Sequence, residues 1–284
     1  MSKSKVHIVL VLGFSTLAAC GGGGGTSGAE ITADTPTDAA TNTPDTPDTP
    51  TVASCDTGLP DAYLYFGSNV EIALSSDGCN VILKTDGLPN HVSTYWTEGY
   101  PLYEAPTEAQ AARMTGNRLE ESDANDVTVS LPVKPEKAPS STGTSLGIVG
   151  YAVSGSYVFN QYEGGNTVVG GGVAQGLDND GAHIGPSVYH YHLEPKASIS
   201  NDDDSLIGVI ADGFFLFGRR CWALGGETAA TAGQLDASGG HVTQTQYSNG
   251  IEEYHYHIFE EAAGLEGMHY LFPGDYQGTP VEGS

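Results

Sequence analysis

The feature that most constrains this chain is its likeness to itself. Gly150, Gly155, Phe159, Leu177, Asp178, Gly181 and His183 recur as Gly208, Gly213, Phe217, Leu235, Asp236, Gly239 and His241, each displaced by 58 residues. Glycine matches weigh little in a chain with 39 glycines, but the Phe, Leu-Asp and His matches in one register do not arise cheaply. Each copy closes on the same tetrapeptide, Tyr-His-Tyr-His, at 189–192 and 254–257, where 7 extra residues in the second copy lengthen the offset to 65. Insertions between copies of one supersecondary unit fall in loops. The expectation is a single domain with internal pseudo-twofold duplication, its copies at about 146–192 and 204–257.

Within each copy, 148–159 and 206–217 are apolar, β-branched and aromatic runs broken by glycine, the pattern of a hairpin. Strands are also expected at Val70–Leu74 and 127–133, and one short helix at 105–114. With 39 Gly and 15 Pro and only 16% charged residues, the composition counts against an all-α fold. The fold class is therefore all-β, a sandwich or barrel-like domain with minor short helices. An extended Tyr-His-Tyr-His alternates its faces. His190 and His192 then project together, as do His255 and His257, while Tyr189, Tyr191, Tyr254 and Tyr256 pack on the other side with their hydroxyls finding partners at the edge.

The histidines are concentrated where the repeats are. Each copy offers Asp, His and then His-x-His: Asp178, His183, His190 and His192 in the first, Asp236, His241, His255 and His257 in the second. Three imidazoles and a carboxylate suit a divalent transition metal, copper or zinc above iron or manganese. A single histidine of this kind is more often a hydrogen-bonded core residue. Six in register with period-2 spacing favour one or two metal sites, the number left open. Asp178 and Asp236 can alternatively orient a ligand imidazole or cap a turn. His91 is a weaker candidate ligand, and Asp212, which has Ser154 as its counterpart, has no role required in both copies.

The ends of the chain address location. Lys3 and Lys5 precede an apolar run over 6–17, too short to span a bilayer, so residues 1–19 read as an export signal. Leu17-Ala18-Ala19-Cys20 has the pattern of a lipoprotein processing site, with Cys20 as the lipidated residue. From 20 to 54 the chain is Gly, Thr, Pro, Asp and Ala, a solvated tether that cannot bury a core. The folded domain is expected over 55–284. A formal charge of −25 leaves few cations for phosphate, which excludes nucleic acid as a partner. Of the remaining cysteines, Cys55 and Cys79 are close enough to bond in an oxidising compartment, leaving Cys221 free or buried, although spacing alone does not fix the pair.

Taken together, Asp86-Gly87-Leu88-Pro89-Asn90-His91, Leu177-Asp178 with His183, the first Tyr-His-Tyr-His, Ile210-Ala211-Asp212-Gly213-Phe214 and the second copy through His257 resemble the YHYH-domain family over roughly residues 60–280. The resemblance implies an exported bacterial protein, its fold and a histidine-rich site, but no reaction. The preferred function is a lipoprotein of the bacterial cell envelope, at the outer membrane or surface, that captures or buffers copper or zinc. One alternative is an exported metal-dependent hydrolase or oxidase, and no nucleophile elbow, phosphate loop or dinucleotide fingerprint assigns it a reaction. The other is a metal-free adhesion or interaction module.

Overall fold

A computed structural model describes Cys55 and residues 58–199, 203–229 and 233–281. The expected signal peptide, Cys20 and the tether lie outside the described residues. The architecture is mostly β with few short helices. Strands β1 (Val70–Leu74), β2 (Asn80–Thr85) and β3 (Val127–Pro132) form a small antiparallel sheet in that order. A Cys55–Cys79 disulfide closes over its β1–β2 end, leaving Cys221 buried and free.

The large sheet takes its strands from the rest of the chain: β4 (Gly150–Ala152), β5 (Tyr157–Val158), β8 (Ala182–Ile184), β9 (Tyr189–Tyr191), β10 (Leu206–Ile210), β11 (Phe215–Phe217), β12 (Gly240–Gln244) and β13 (Glu252–His257). A separate two-residue hairpin, β6 (Tyr162–Glu163) with β7 (Thr167–Val168), leaves the sheet after β5. Both expected glycine-broken hairpins form, β4 with β5 and β10 with β11. The order across the large sheet is β12-β13-β11-β10-β4-β5-β9-β8. Its pairings read the same from either end: antiparallel, parallel, antiparallel, then the central antiparallel pair β10/β4. At that centre Tyr151 faces Val209, and these two residues are 58 apart.

Every residue of β10 is buried, because both faces of the large sheet are covered, which is why its sequence is a continuous apolar run rather than an alternating one. On one face Tyr151, Tyr157, Val209, Phe215 and Phe217 join Val81, Leu83, Val129 and Leu131 of the small sheet in one apolar cluster. On the other, Ala152, Val158, Ile210 and Leu216 pack with the tetrapeptide tyrosines and with Tyr95, Trp96 and Phe272. Residues opposite one another in a ladder share a face, so the registers put His190 and His257 on the face of Tyr157 and Phe217, beside the small sheet.

The helix expected over 105–114 contracts to Glu108–Ala111. Thr107 and Gln110 close a capping box that starts it, after Pro106 has barred an earlier turn. None of its four residues is buried, so no apolar face exists to pay for extending it.

Candidate metal centres

The imidazoles converge in two separate clusters, one at each end of the large sheet. At the first, β8 and β9 pair antiparallel with His183 directly opposite His190, and His192 follows two residues on. The Nε2 atoms of His183 and His190 stand 3.1 Å apart and those of His190 and His192 2.9 Å apart. The outer nitrogens are committed elsewhere: His190 Nδ1 donates to the Val188 carbonyl at 3.1 Å and His192 Nδ1 to the Asn160 carbonyl at 2.7 Å. A carbonyl only accepts, so each Nδ1 carries a proton, and in the neutral form of the ring the Nε2 lone pair points inward.

A carboxylate borders this cluster. Glu163, on the β6–β7 hairpin, places Oε1 3.0 Å from His183 Nε2 and 3.3 Å from His192 Nε2. Burial, then the neighbouring His192 and His183, pushes the His190 pKa well below the usual imidazole range. At neutral pH an ordinary glutamate is a carboxylate. The Phe159 ring stacks on His190 at 3.7 Å between centroids and fixes its plane.

The second cluster repeats the arrangement with one change of donor. On β12 and β13 His241 faces His255, and His257 follows. His255 Nδ1 donates to the Glu253 carbonyl at 3.0 Å and His257 Nδ1 to the Gly218 carbonyl at 2.7 Å. Asn160 and Gly218, which hold the equivalent rings, are 58 apart. The fourth group is Cys221, its Sγ 3.5 Å from His241 Nε2. The buried Nε2 of His257 has no hydrogen-bond partner. Burial is the main reason that the His255 and His257 pKa values fall, to about 3 and about 4.

One donor from each of Cys221, His241, His255 and His257 lies within 4.8 Å of the others, and the same is true of His183, His190 and His192. Both groups could hold a metal ion. Glu163 and Cys221 were not among the expected ligands because only identical residues at offset 58 were matched. The signal was present: 163 and 221 differ by the same 58 that relates His183 to His241.

The remaining expected ligands stand apart from both clusters. Asp178 Oδ1 accepts from the backbone N–H of Asp180 and Ala182, and its Oδ2 accepts from the Ser93 and Tyr189 hydroxyls, each at 2.5 Å. Asp236 caps the corresponding turn through Ser238 and Gly240 N–H and accepts from Tyr254 OH at 3.0 Å and Lys137 Nζ at 3.1 Å. The turns need Gly181 and Gly239 at φ +69° and +81°, where a side chain is strained. The aspartates therefore cap turns and anchor tyrosines. His91 bonds the Tyr191 hydroxyl at 2.5 Å and lies 3.2 Å from Asp180 Oδ2, on the tyrosine face, away from the imidazole clusters.

Asp212 does have a role matched 58 residues earlier. It accepts from Tyr256 OH at 2.6 Å, and its counterpart Ser154 bonds Tyr191 OH at 2.7 Å. Two different residues do one job, holding the second tyrosine of each tetrapeptide.

Residues 128–228 match the family described as YHYH protein. That span holds Glu163, His183, His190, His192 and Cys221, and ends before His241, His255 and His257. No curated protein and no solved structure matches the chain.

Proposed function

We propose that this chain is a metal-binding lipoprotein of the bacterial cell envelope, holding one transition-metal ion, copper or zinc, in each of two four-ligand sites, for capture or buffering. The ligands are Glu163, His183, His190 and His192 in one site and Cys221, His241, His255 and His257 in the other. We further propose that the two halves are copies of one unit.

The observation that carries this reading is the set of inward lone pairs. Two imidazoles whose outer nitrogens donate to carbonyls turn their Nε2 atoms together at 2.9 Å, with a carboxylate oxygen 3.3 Å from one of them, and in the neutral rings both are acceptors. Three acceptors crowded together in a buried place repel unless a cation sits among them. Donors 2.0–2.2 Å from a tetrahedral ion stand roughly 3.3 Å from one another, and a thiolate about 3.6 Å from a nitrogen. Neighbouring donors 2.9–3.3 Å apart in the first cluster and 3.5 Å apart in the second are close to those distances. Four protein donors saturate a tetrahedral ion, which favours holding the metal over using it on a substrate.

What supports the duplication is the common register of ligands, ring-holding carbonyls and turn aspartates at offset 58. The export signal and the Cys20 processing pattern support the anchored location. Among the described residues, no helix is long and apolar enough to cross a membrane.

Elemental analysis of protein purified without an affinity tag, after loading with zinc and exhaustive dialysis, is expected to find two ions per chain. A metal-free protein after loading refutes the reading. Cys20→Ala is expected to move the protein from the membrane fraction to the soluble fraction, and unchanged fractionation refutes the anchor.

A further inference from the structure

The two clusters differ in the one donor that is not histidine, and in how deeply that donor is buried. Cys221, His241, His255 and His257 are all buried, with Cys221 only 1% exposed. Glu163 and His183 are only part-buried, with side chains 23% and 12% exposed, on a hairpin whose Thr167 and Val168 face solvent. Softness and charge point the same way. A thiolate binds copper(I) and zinc alike, whereas a carboxylate can join histidines around zinc but is a poor match for soft copper(I), so competition should send copper(I) to the thiolate. One thiolate and copper(I) cancel, leaving no net charge in the enclosed site. A divalent ion with one carboxylate leaves a single positive charge, which costs least where water reaches the rim.

We propose that the two sites sort metals, the Cys221 site taking copper(I) and the Glu163 site a divalent ion such as zinc, so that the loaded chain carries one of each. This rests on both clusters being metal sites. The residue at one repeated position, Glu163 in the first unit and Cys221 in the second, then sets the preference, while the three histidines common to both supply affinity. The buried, unpartnered Nε2 of His257 is a second sign that the Cys221 cluster is built around a ligand rather than around a lone thiol.

The test uses the full chain, loaded anaerobically with zinc to two equivalents and then titrated with copper(I) held by a competing chelator. The expected result is release of one zinc per chain, with the second retained, and at least about tenfold separation between the two exchange steps, the scale that losing an outer-shell partner alone produces. X-ray absorption should place a sulfur neighbour on copper and none on the retained zinc. In Glu163→Cys both zinc ions should leave at similar copper(I) concentrations, and in Cys221→Ser the early step should vanish. Release of both zinc ions together from the wild type, release of neither, or sulfur on the retained zinc overturns the sorting while leaving metal binding intact. Failure to take up any zinc at the first step overturns metal binding itself, and sorting with it. The absorption measurement needs only the wild type, so the outcome does not depend on either variant folding.

Discussion

At the scale of single residues, the histidines and aspartates around each tetrapeptide have separate jobs despite lying close in sequence. Replacing His190 and His192 together with alanine should remove one of the two bound ions and leave the other, as read by elemental analysis. Loss of both ions, or of none, would contradict the assignment of that pair to one site. Asp178 acts on the opposite face. Asp178→Asn keeps the size but weakens four hydrogen bonds accepted by a buried carboxylate, two of them from the Ser93 and Tyr189 hydroxyls. It should destabilise the fold by about 2–3 kcal/mol in denaturant unfolding, while the refolded protein still binds two ions. Metal lost in proportion to Asp178 replacement, without loss of stability, would instead make it a ligand. The sequence placed these aspartates correctly beside the tetrapeptides, but a capping carboxylate and a ligating one look identical until the directions of their lone pairs are known.

At the scale of elements, β9 and β13 carry a pH dependence into the fold. His255 and His257 titrate at about 3 and about 4, below the ordinary imidazole value, because burial penalises their charged forms. Between that ordinary value near 6.5 and the folded values, the unfolded chain binds more protons than the folded one, so stability must fall with falling pH. For metal-free protein the expected loss is up to about 1.4 kcal/mol per pH unit for each such histidine below about pH 6.5, levelling off below the folded values. Unfolding midpoints that stay constant from pH 7 to pH 5 would mean that these rings are already protonated or solvated in the fold. The β1–β2 end depends on a different device. The disulfide joins residues 24 apart, and its removal in Cys79→Ser should cost about 3 kcal/mol. Metal content should be unaffected, since neither cysteine of the bridge belongs to a cluster.

At the scale of the whole molecule, the two clusters lie at opposite ends of the large sheet. Five strand spacings separate β9 from β13, roughly 24 Å. Groups that far apart without shared partners act independently. Titration of the intact chain should therefore fit two sites without cooperativity, and variants in the two clusters should change stability additively to within about 0.5 kcal/mol. A measured coupling larger than that would require the rigid centre around Tyr151 and Val209 to transmit strain between the ends.

Periodicity alone determined a good deal of this protein. Period 2 in Tyr-His-Tyr-His separated imidazole face from phenol face, and the glycine-broken apolar runs located the two hairpins, because both depend only on neighbours along the chain. The offset of 58 also held the counterparts of all the clustered donors, since an equivalent place in a repeated pattern is a property of sequence. Only the tertiary structure decided that the imidazoles form two clusters, that Cys221 joins one and that Glu163 borders the other, whereas Asp178, Asp236 and His91 turn away. The physical reason is that donor groups meet across strand pairs and hairpins that bring together residues up to about forty apart, with directions fixed by carbonyls such as those of Asn160 and Gly218. No local rule specifies where such a carbonyl will point.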